Sequence, residues 1–536
     1  MHYLFFKQND RRFSAFAVLS FLGVLFFILY LSIRKNGIFS YPIDDTYIHL
    51  GIAKSLVNEF TFGISHIHSS CSSSPLFAVM IALLYKLTNY PVFIPLAINT
   101  VSGIFLSYLT IKYLSRVQNR LLKYFAFMYI IFSSSLFFQV LMGMEHVIYT
   151  LVFTFYLFGI STIFRNSKNN YYVFISVFLG NILCMIRYES MFIIFSILCI
   201  LLLFREVKLF FVFLLSFSSI LLFGIFSLVK GGLFFPNSLM IKGRVPVGTL
   251  KDLIRIMMDA FIDRSPINYD ISIAIPTLFI ILFIILISKI QSEKTIECIK
   301  NPNVLVVVLW LSVATLQSLF AGFGWLYRYE FFLCFSGLIL IFREIGSVVR
   351  KKIFMNFIFS GIILCWGLQI SLPIMYFRGK HNGIDLYFKA TKAIQNQHLA
   401  MADFVKTYYN NSFIGLNDVG AVSFLSDAKI LDFAGLCNDD ILKLRREKGW
   451  DYFYASIYKM CEDKGVDLVL VYDGFYTPAS KYSYRKIGEL IFPKEDITGG
   501  NVVYVIVRLG DVDQARKNLV EFSKRYGSTL QVKLSN

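Results

Sequence analysis

The sequence predicts a polytopic α-helical membrane protein of about eleven transmembrane helices, followed by a soluble C-terminal α/β domain. Three observations carry that reading. Of 536 residues, 56% are hydrophobic, 17% aromatic and only 16% charged, with a mean hydropathy of +0.63; ordinary soluble domains carry about 25% charged residues. Apolar runs recur as far as residue 376, many near the roughly 20 residues that a hydrocarbon core of about 30 Å demands. From about Lys380 the composition turns soluble.

The first run, Phe13–Ile33, follows Lys7, Arg11 and Arg12. It is too long for the apolar core of a signal peptide and no small-residue cleavage site follows, so it reads as an uncleaved first span. Further spans are expected near 91–114, 121–141, 146–164, 171–186, 190–204, 209–229, 271–289, 303–321, 330–342 and 353–376. Ser74–Leu87 is short for a span and is placed lying on the outer face, together with an amphipathic helix at 46–57. Charge supports that placement. With the N-terminus cytoplasmic, the clusters Arg116/Arg120/Lys123, Arg165/Lys168, Arg205/Lys208, Lys289/Lys294/Lys300 and Arg343/Arg350/Lys351/Lys352 all fall inside only if 74–87 does not cross. The expected organisation is a transmembrane module over 1–378, with a first outer loop at 34–90, and an extracytoplasmic domain over 379–536.

In that domain Ala402–Tyr409 reads as a helix and Phe413–Leu416 as a strand, with Asn417–Gly420 as the turn after it. Lys429–Phe433 is a second strand, Asp440–Lys464 is largely helical, and Asp467–Tyr472, Tyr484–Phe492 and Asn501–Leu509 are further strands. No Gly-rich phosphate loop or dinucleotide fingerprint is present.

The net charge of +18 does not indicate nucleic acid, because the basic residues lie in short clusters between apolar runs. They fit orientation in the membrane and contact with anionic lipid. The eight cysteines show no metal-binding spacing. Cys437 and Cys461 lie in the outer domain and are candidates for a disulfide. His66 and His68 have no third ligand nearby in sequence and read as a solvated loop. Ser69–Ser74 is a polar run without the partners of a catalytic serine.

The outer loops collect the unusual motifs. They are Asp44-Asp45; Gly143-Met144-Glu145-His146; Arg187-Tyr188-Glu189; Pro236-Asn237-Ser238 through Lys242 to Arg244; and Gly324-Trp325-Leu326-Tyr327-Arg328-Tyr329-Glu330. In isolation Asp44 or Asp45 reads as a helix cap. Glu145 suits a helix N-terminus electrostatically. Arg187 and Glu189 can pair across a tight turn, and Lys242, Arg244 and Arg328 can snorkel to headgroups. Carboxylates and arginines converging on one face nevertheless indicate a site at that interface, whereas a transporter more often places such groups at the midplane.

In order and spacing these motifs resemble the GT-C-fold integral membrane glycosyltransferases, closest to the bacterial group that contains the mycobacterial terminal arabinofuranosyltransferase. The group's first-loop pattern is matched by Asp44-Asp45-Thr46-Tyr47-Ile48 and Ser73-Ser74-Pro75-Leu76, with His146 and Tyr188 as departures in the next two motifs. Pro236-Asn237-Ser238…Lys242 and Tyr327-Arg328-Tyr329 complete the set. In the C-terminal domain, Gly415–Gly420 and Leu431–Leu436 resemble the group's soluble blocks. The likeness runs from about residue 40 to 440. It implies transfer of a sugar from a polyprenyl-phosphate donor to a glycan, lipid or protein acceptor at the outer face of the bacterial plasma membrane.

Such transfer needs a carboxylate to deprotonate the acceptor or to act as nucleophile, and cations to hold the leaving phosphate. The resemblance makes Asp44 the catalytic carboxylate, with Asp45 orienting it or binding sugar hydroxyls. It makes Glu145, His146, Arg187, Glu189, Asn237, Lys242, Tyr327 and Arg328 the substrate and phosphate ligands, with Arg244 ranked below them. No metal ligand is assigned, although some GT-C enzymes hold a divalent cation near their acidic pair, so such an ion beside Asp44 and Asp45 is compatible with the likeness. Two other classes stand beside the enzyme: a transporter or flippase for lipid-linked saccharides, and a non-catalytic envelope assembly protein.

Overall fold

The structure is a computed structural model that describes the whole chain except residues 1–7, 66, 118–119, 166–168, 244–248, 262–273, 294–298, 300, 325, 349–383, 473–474, 476–481, 494–499, 527–529 and 536. The expected span at 353–376, His66 and Arg244 lie outside the described residues. The chain forms two compact units. A helical unit comprises Met1–Leu31, Leu96–Leu221 and Gly243–Leu386, and a sheet unit comprises Ser32–Pro95, Leu222–Lys242 and Tyr387–Asn536. The first loop thus folds with the C-terminal domain.

Among the described residues, five helices are long and apolar enough to cross a membrane: Phe13–Asn36, Pro91–Tyr113, Val207–Val229, Ala274–Gln291 and Pro302–Phe320. A sixth arises if Leu122–Ser133 and Leu136–Met142, bent by 41°, count as one span. That is fewer than the eleven expected. The runs at 146–164, 171–186 and 190–204 are apolar helices, His146–Arg165, Asn170–Ile186 and Tyr188–Leu203, whose described apolar portions are 16 to 17 residues long. The run at 330–342 continues as Phe331–Val348 into Arg343 and Glu344, which bond to Asn303 at 2.6 Å and Lys289 at 2.6 Å. Within the helical unit the largest buried side chain, Trp310, donates its indole N–H to Leu333 O (3.2 Å) and Ser336 Oγ (3.1 Å).

The sheet unit is built on six strands: β1 Phe413–Leu416, β2 Lys429–Asp432, β3 Leu468–Tyr472, β4 Tyr484–Ile491, β5 Val502–Arg508 and β6 Gln531–Leu534. They run in the order β2-β1-β3-β5-β4-β6. β1 is parallel to both β2 and β3, and the remaining pairs are antiparallel. β3, Leu-Val-Leu-Val-Tyr, is buried throughout, as a strand covered on both faces should be. The chain leaves β1 for β2 on one side and returns in β3 on the other. That reversal opens a crevice at the carboxyl ends of β1 and β3, where open α/β sheets place ligands.

The helices of this unit include α1 (Asp45–Glu59), α2 (Pro75–Tyr85), α3 (Asn237–Lys242), α4 (Ala400–Tyr408), α5 (Gly420–Leu425), α6 (Asp439–Lys464) and α7 (Val512–Tyr526). α4 is preceded by a π-helical stretch, Ile394–Leu399. The first loop corrects one expectation. α1 does not lie on a face: Thr46 to Ala53 are all buried, with α2 and α5 packed against it. Its burial runs round the helix, which an interfacial helix cannot show. Gly51 permits the contact, since a Cβ there would fall on the Ser423 hydroxyl of α5. α2 buries Phe77, Ala78 and Ile81 and leaves Val79, Leu83 and Leu84 exposed.

Gly51→Val is therefore expected to wedge α1 from α5 and lower the unfolding free energy of the purified protein by about 1–3 kcal/mol. Gly159→Ala, where a Cβ meets nothing within 4 Å, should leave the denaturation midpoint unchanged or slightly raised.

Candidate functional site

In the sheet unit the first-loop acid sits in the strand-end crevice. Asp44 precedes α1 but makes no side-chain cap there. Its carboxylate accepts instead from the first N–H groups of α5, Gly420 N at 2.6 Å and Ala421 N at 2.8 Å. A carboxylate at a helix N-terminus meets both the unpaired donors and the positive end of the dipole. Gly420 is required for this approach, because a Cβ would strike the Asp44 backbone and carboxyl. Asp45 lies half-buried in the first turn of α1.

Asp44 has neighbours that sequence reading did not name. His398, in the π-helical stretch, is buried, and its Nε2 lies 3.2 Å from Asp418 Oδ2 and 3.2 Å from the Tyr472 hydroxyl. Asp418 lies two residues past the end of β1 and Tyr472 ends β3, so the crevice itself positions both. Asn417 braces the two strand ends, accepting from Tyr472 N at 3.1 Å. One ligand atom each from Asp44, His398 and Asp418 lie within 4.8 Å of one another. Two carboxylate oxygens and one imidazole nitrogen form a donor set that suits a divalent ion such as Mn²⁺ or Zn²⁺.

Burial pushes the Asp44 carboxyl up to about 6, with Asp418 adding to the effect and His398 and the two backbone N–H groups opposing it. Burial opposes charge on His398, but the bond to Asp418 and the charges of Asp44 and Asp418 outweigh it and hold its pKa above the ordinary value. Burial, with Asp418, holds the Tyr472 phenol well above its usual range.

A second knot ties the same unit together. Asn237, with no exposed surface, ties three segments: its N–H donates to Ser70 O (2.9 Å), and its Nδ2 to Gly435 O (3.1 Å) and Asp439 Oδ1 (2.7 Å). Beside it Cys71 and Cys437 are disulfide-bonded across 366 residues, and Cys461 is a free buried thiol. The Cys437–Cys461 pairing is thereby corrected: Cys461 lies in the hydrophobic core behind the sheet. Asp432, at the end of β2, is buried and accepts from Ala434 N (2.8 Å) and Cys437 N (2.6 Å). Lys242 ends α3 and is exposed.

In the helical unit, Glu145, His146, Arg187 and Glu189 come together. Arg187 is buried and its guanidinium is bonded to Glu145, to Glu189 and, at 2.7 Å, to His146 Nε2. It lies 5.5 Å from the Tyr329 ring centre, and Arg328, also buried, lies 5.0 Å from the same ring and donates to its hydroxyl at 3.2 Å. The pairing of Arg187 with Glu189 is thus realised and extended to a second carboxylate. Leu326 and Tyr327 both hold positive φ, +60° and +64°, a costly backbone for non-glycine residues that recurs at functional sites. Gln139 supports the turn by donating to Leu326 O at 3.1 Å.

Asp44, Asp45, Asn237 and Lys242 therefore belong to the sheet unit, and Glu145, His146, Arg187, Glu189, Tyr327 and Arg328 to the helical unit. Residues 389–508 match the model of a domain of unknown function, DUF8728. That stretch holds His398, Asp418 and Tyr472 but not Asp44. A search of curated proteins finds no match to the chain.

Two outcomes follow for the sheet unit. Non-reducing peptide mapping should recover a linked Cys71–Cys437 peptide and an unlinked Cys461, and Cys71→Ser should cost about 2–4 kcal/mol of stability. Burial, offset by its backbone donors, raises the Asp432 carboxyl to about 6. A raised acid binds a proton in the folded state that the unfolded state lacks, here between about pH 4 and 6, so its contribution to stability increases as pH falls through that window. The midpoint of unfolding should rise less from pH 7 to 5 in Asp432→Asn than in the wild type.

Proposed function

We propose that this chain is a membrane glycosyltransferase of the GT-C kind, moving a sugar from a polyprenyl-phosphate donor to a glycan, lipid or protein acceptor. The observation that carries the reading is the meeting of Asp44 with His398 and Asp418 at the carboxyl ends of β1 and β3. A motif acid from the first loop enters a crevice of the kind where α/β sheets bind ligands. The further order of the bundle, with eleven spans, a cytoplasmic N-terminus and the C-terminal domain outside the bacterial plasma membrane, belongs to the same proposal. A disulfide between the first loop and that domain supports an oxidising compartment for both, since such bonds are rare in the cytosol.

In this mechanism the Asp44 carboxylate takes the proton of the acceptor hydroxyl, or attacks the sugar where configuration is retained. The Gly420 and Ala421 N–H groups fix its orientation, so little reorganisation is needed as charge moves. His398, held between carboxylates, donates a hydrogen bond toward developing negative charge. Asp418 and Tyr472 set its position. A divalent cation held by Asp44, His398 and Asp418 would supply charge neutralisation for the departing lipid phosphate. In the helical unit Arg328 is a cationic candidate for the donor phosphate, and Arg187, held by Glu145 and Glu189, contributes with His146 and Tyr327 to substrate binding. In the sheet unit Lys242 is a second candidate for phosphate, Asn237 holds the segment before it, and Asp45 orients the first loop.

One observation favours a second reading, a non-catalytic assembly protein. The two backbone bonds to Asp44 also make it a structural latch between the first loop and α5. The readings part in Asp44→Asn, which keeps an acceptor oxygen but loses the base. Assayed with a panel of polyprenyl-phosphate sugars, it should lose transfer by about 10²–10⁴-fold, while the Cys71–Cys437 bond persists and the one backbone donor left without an acceptor costs about 1–3 kcal/mol of stability. His398→Gln should also lose most activity. Full transfer by Asp44→Asn would remove the catalytic reading.

A further inference from the structure

The Leu250–Phe261 helix of the helical unit carries a feature that catalysis does not use. It opens on a reciprocal cap, with Asp252 accepting from Thr249 N and Oγ1, both at 2.7 Å, so it is a defined element with a fixed start. Its apolar residues split into two sets. Leu253, Ile256, Met257 and Ala260 are half-buried or buried, and the helix packs against Pro302–Phe320, one of the candidate spans. Leu250, Ile254 and Met258, at i, i+4 and i+8, form a separate stripe that is 73%, 50% and 47% exposed.

Water alone would not favour that stripe. Its flanks decide what covers it. Lys251, Asp252, Arg255 and Asp259 are all exposed, and Arg255 pairs with Asp259 at 3.8 Å. Four charges in three turns exclude the hydrocarbon core, whereas apolar residues at every fourth position seek it. A helix resting on a span and satisfying both demands lies at the headgroup boundary, apolar stripe down. Its place in the chain agrees, between the candidate spans Val207–Val229 and Ala274–Gln291. The two basic side chains are matched by two acidic ones, so the attraction is apolar rather than directed to anionic lipid.

We infer that Leu250–Phe261 is an interfacial helix whose Leu250–Ile254–Met258 stripe is seated in the lipid bilayer at headgroup depth. This assignment is independent of the glycosyltransferase reading. The photoreactive residue benzoylphenylalanine, placed singly at 250, 254, 258, 251 or 259 in the full-length protein, tests it in vesicles of phosphatidylethanolamine and phosphatidylglycerol. Mass spectrometry after illumination should find several-fold more lipid adduct at 254 and 258 than at 251 and 259. Replacing phosphatidylglycerol by phosphatidylcholine should not alter the yield. Equal adduct at all positions, or cross-links from 254 and 258 to a second copy of the chain, would overturn it. Every site chosen is exposed, and an unfolding midpoint unchanged from the wild type reports that each variant has folded.

Discussion

The sheet unit depends on one interaction, the seating of the Asp44 carboxylate on the Gly420 and Ala421 N–H groups. It joins residues 376 positions apart and places a first-loop acid at the head of a helix inside the C-terminal domain. Everything around it serves that approach. Gly420 has no Cβ to block it, Gly51 lets α1 close on α5, and Lys54 binds Ser426 O at 2.6 Å and Asp427 at 2.8 Å further along the same contact. The Cys71–Cys437 bond and the Asn237 knot secure the other end of the loop.

The same seating has an electrostatic cost. Two carboxylates and an imidazole share a small volume in which His398 is buried and the two carboxylates are half-buried, and desolvation by itself would favour the neutral forms. Backbone donors and mutual charge offset this in part, leaving Asp44 and His398 both with raised proton affinity. Groups whose environments displace their protonation from ordinary values are what acid–base and metal-assisted chemistry require. The Arg187 cluster of the helical unit differs in kind. There one buried cation is bracketed by two carboxylates, an arrangement that satisfies charge before any ligand arrives.

Much of this was legible in the sequence. β1 to β5 fall within a residue or two of expectation because each is a short apolar run bounded by turn residues. Asp44 stood out as part of a doublet beyond the first span. His398 did not: nothing in Gln397-His398-Leu399 marks it, and its partners lie 20 and 74 residues away. The turn Asn417–Gly420 was visible, but its role depends on strand order, which sequence alone does not fix. The helix at 46–57 was misplaced for a related reason. Its buried polar residues, Thr46, His49 and Ser55, mimic a wet face until α2 and α5 are seen to cover it. A disulfide between Cys437 and Cys461 is expected because both lie in the C-terminal domain, whereas the fold brings Cys71 of the first loop to Cys437.

The most direct measurement is a structure of the full-length protein, determined in lipid with a polyprenyl-phosphate sugar bound. The account predicts the sugar ring at the carboxyl ends of β1 and β3, its reacting carbon beside Asp44 and within reach of His398 and Asp418. A sugar bound elsewhere, with Asp44 still closed on Gly420 and Ala421 and no substrate atom near it, would contradict the account and leave Asp44 a latch alone.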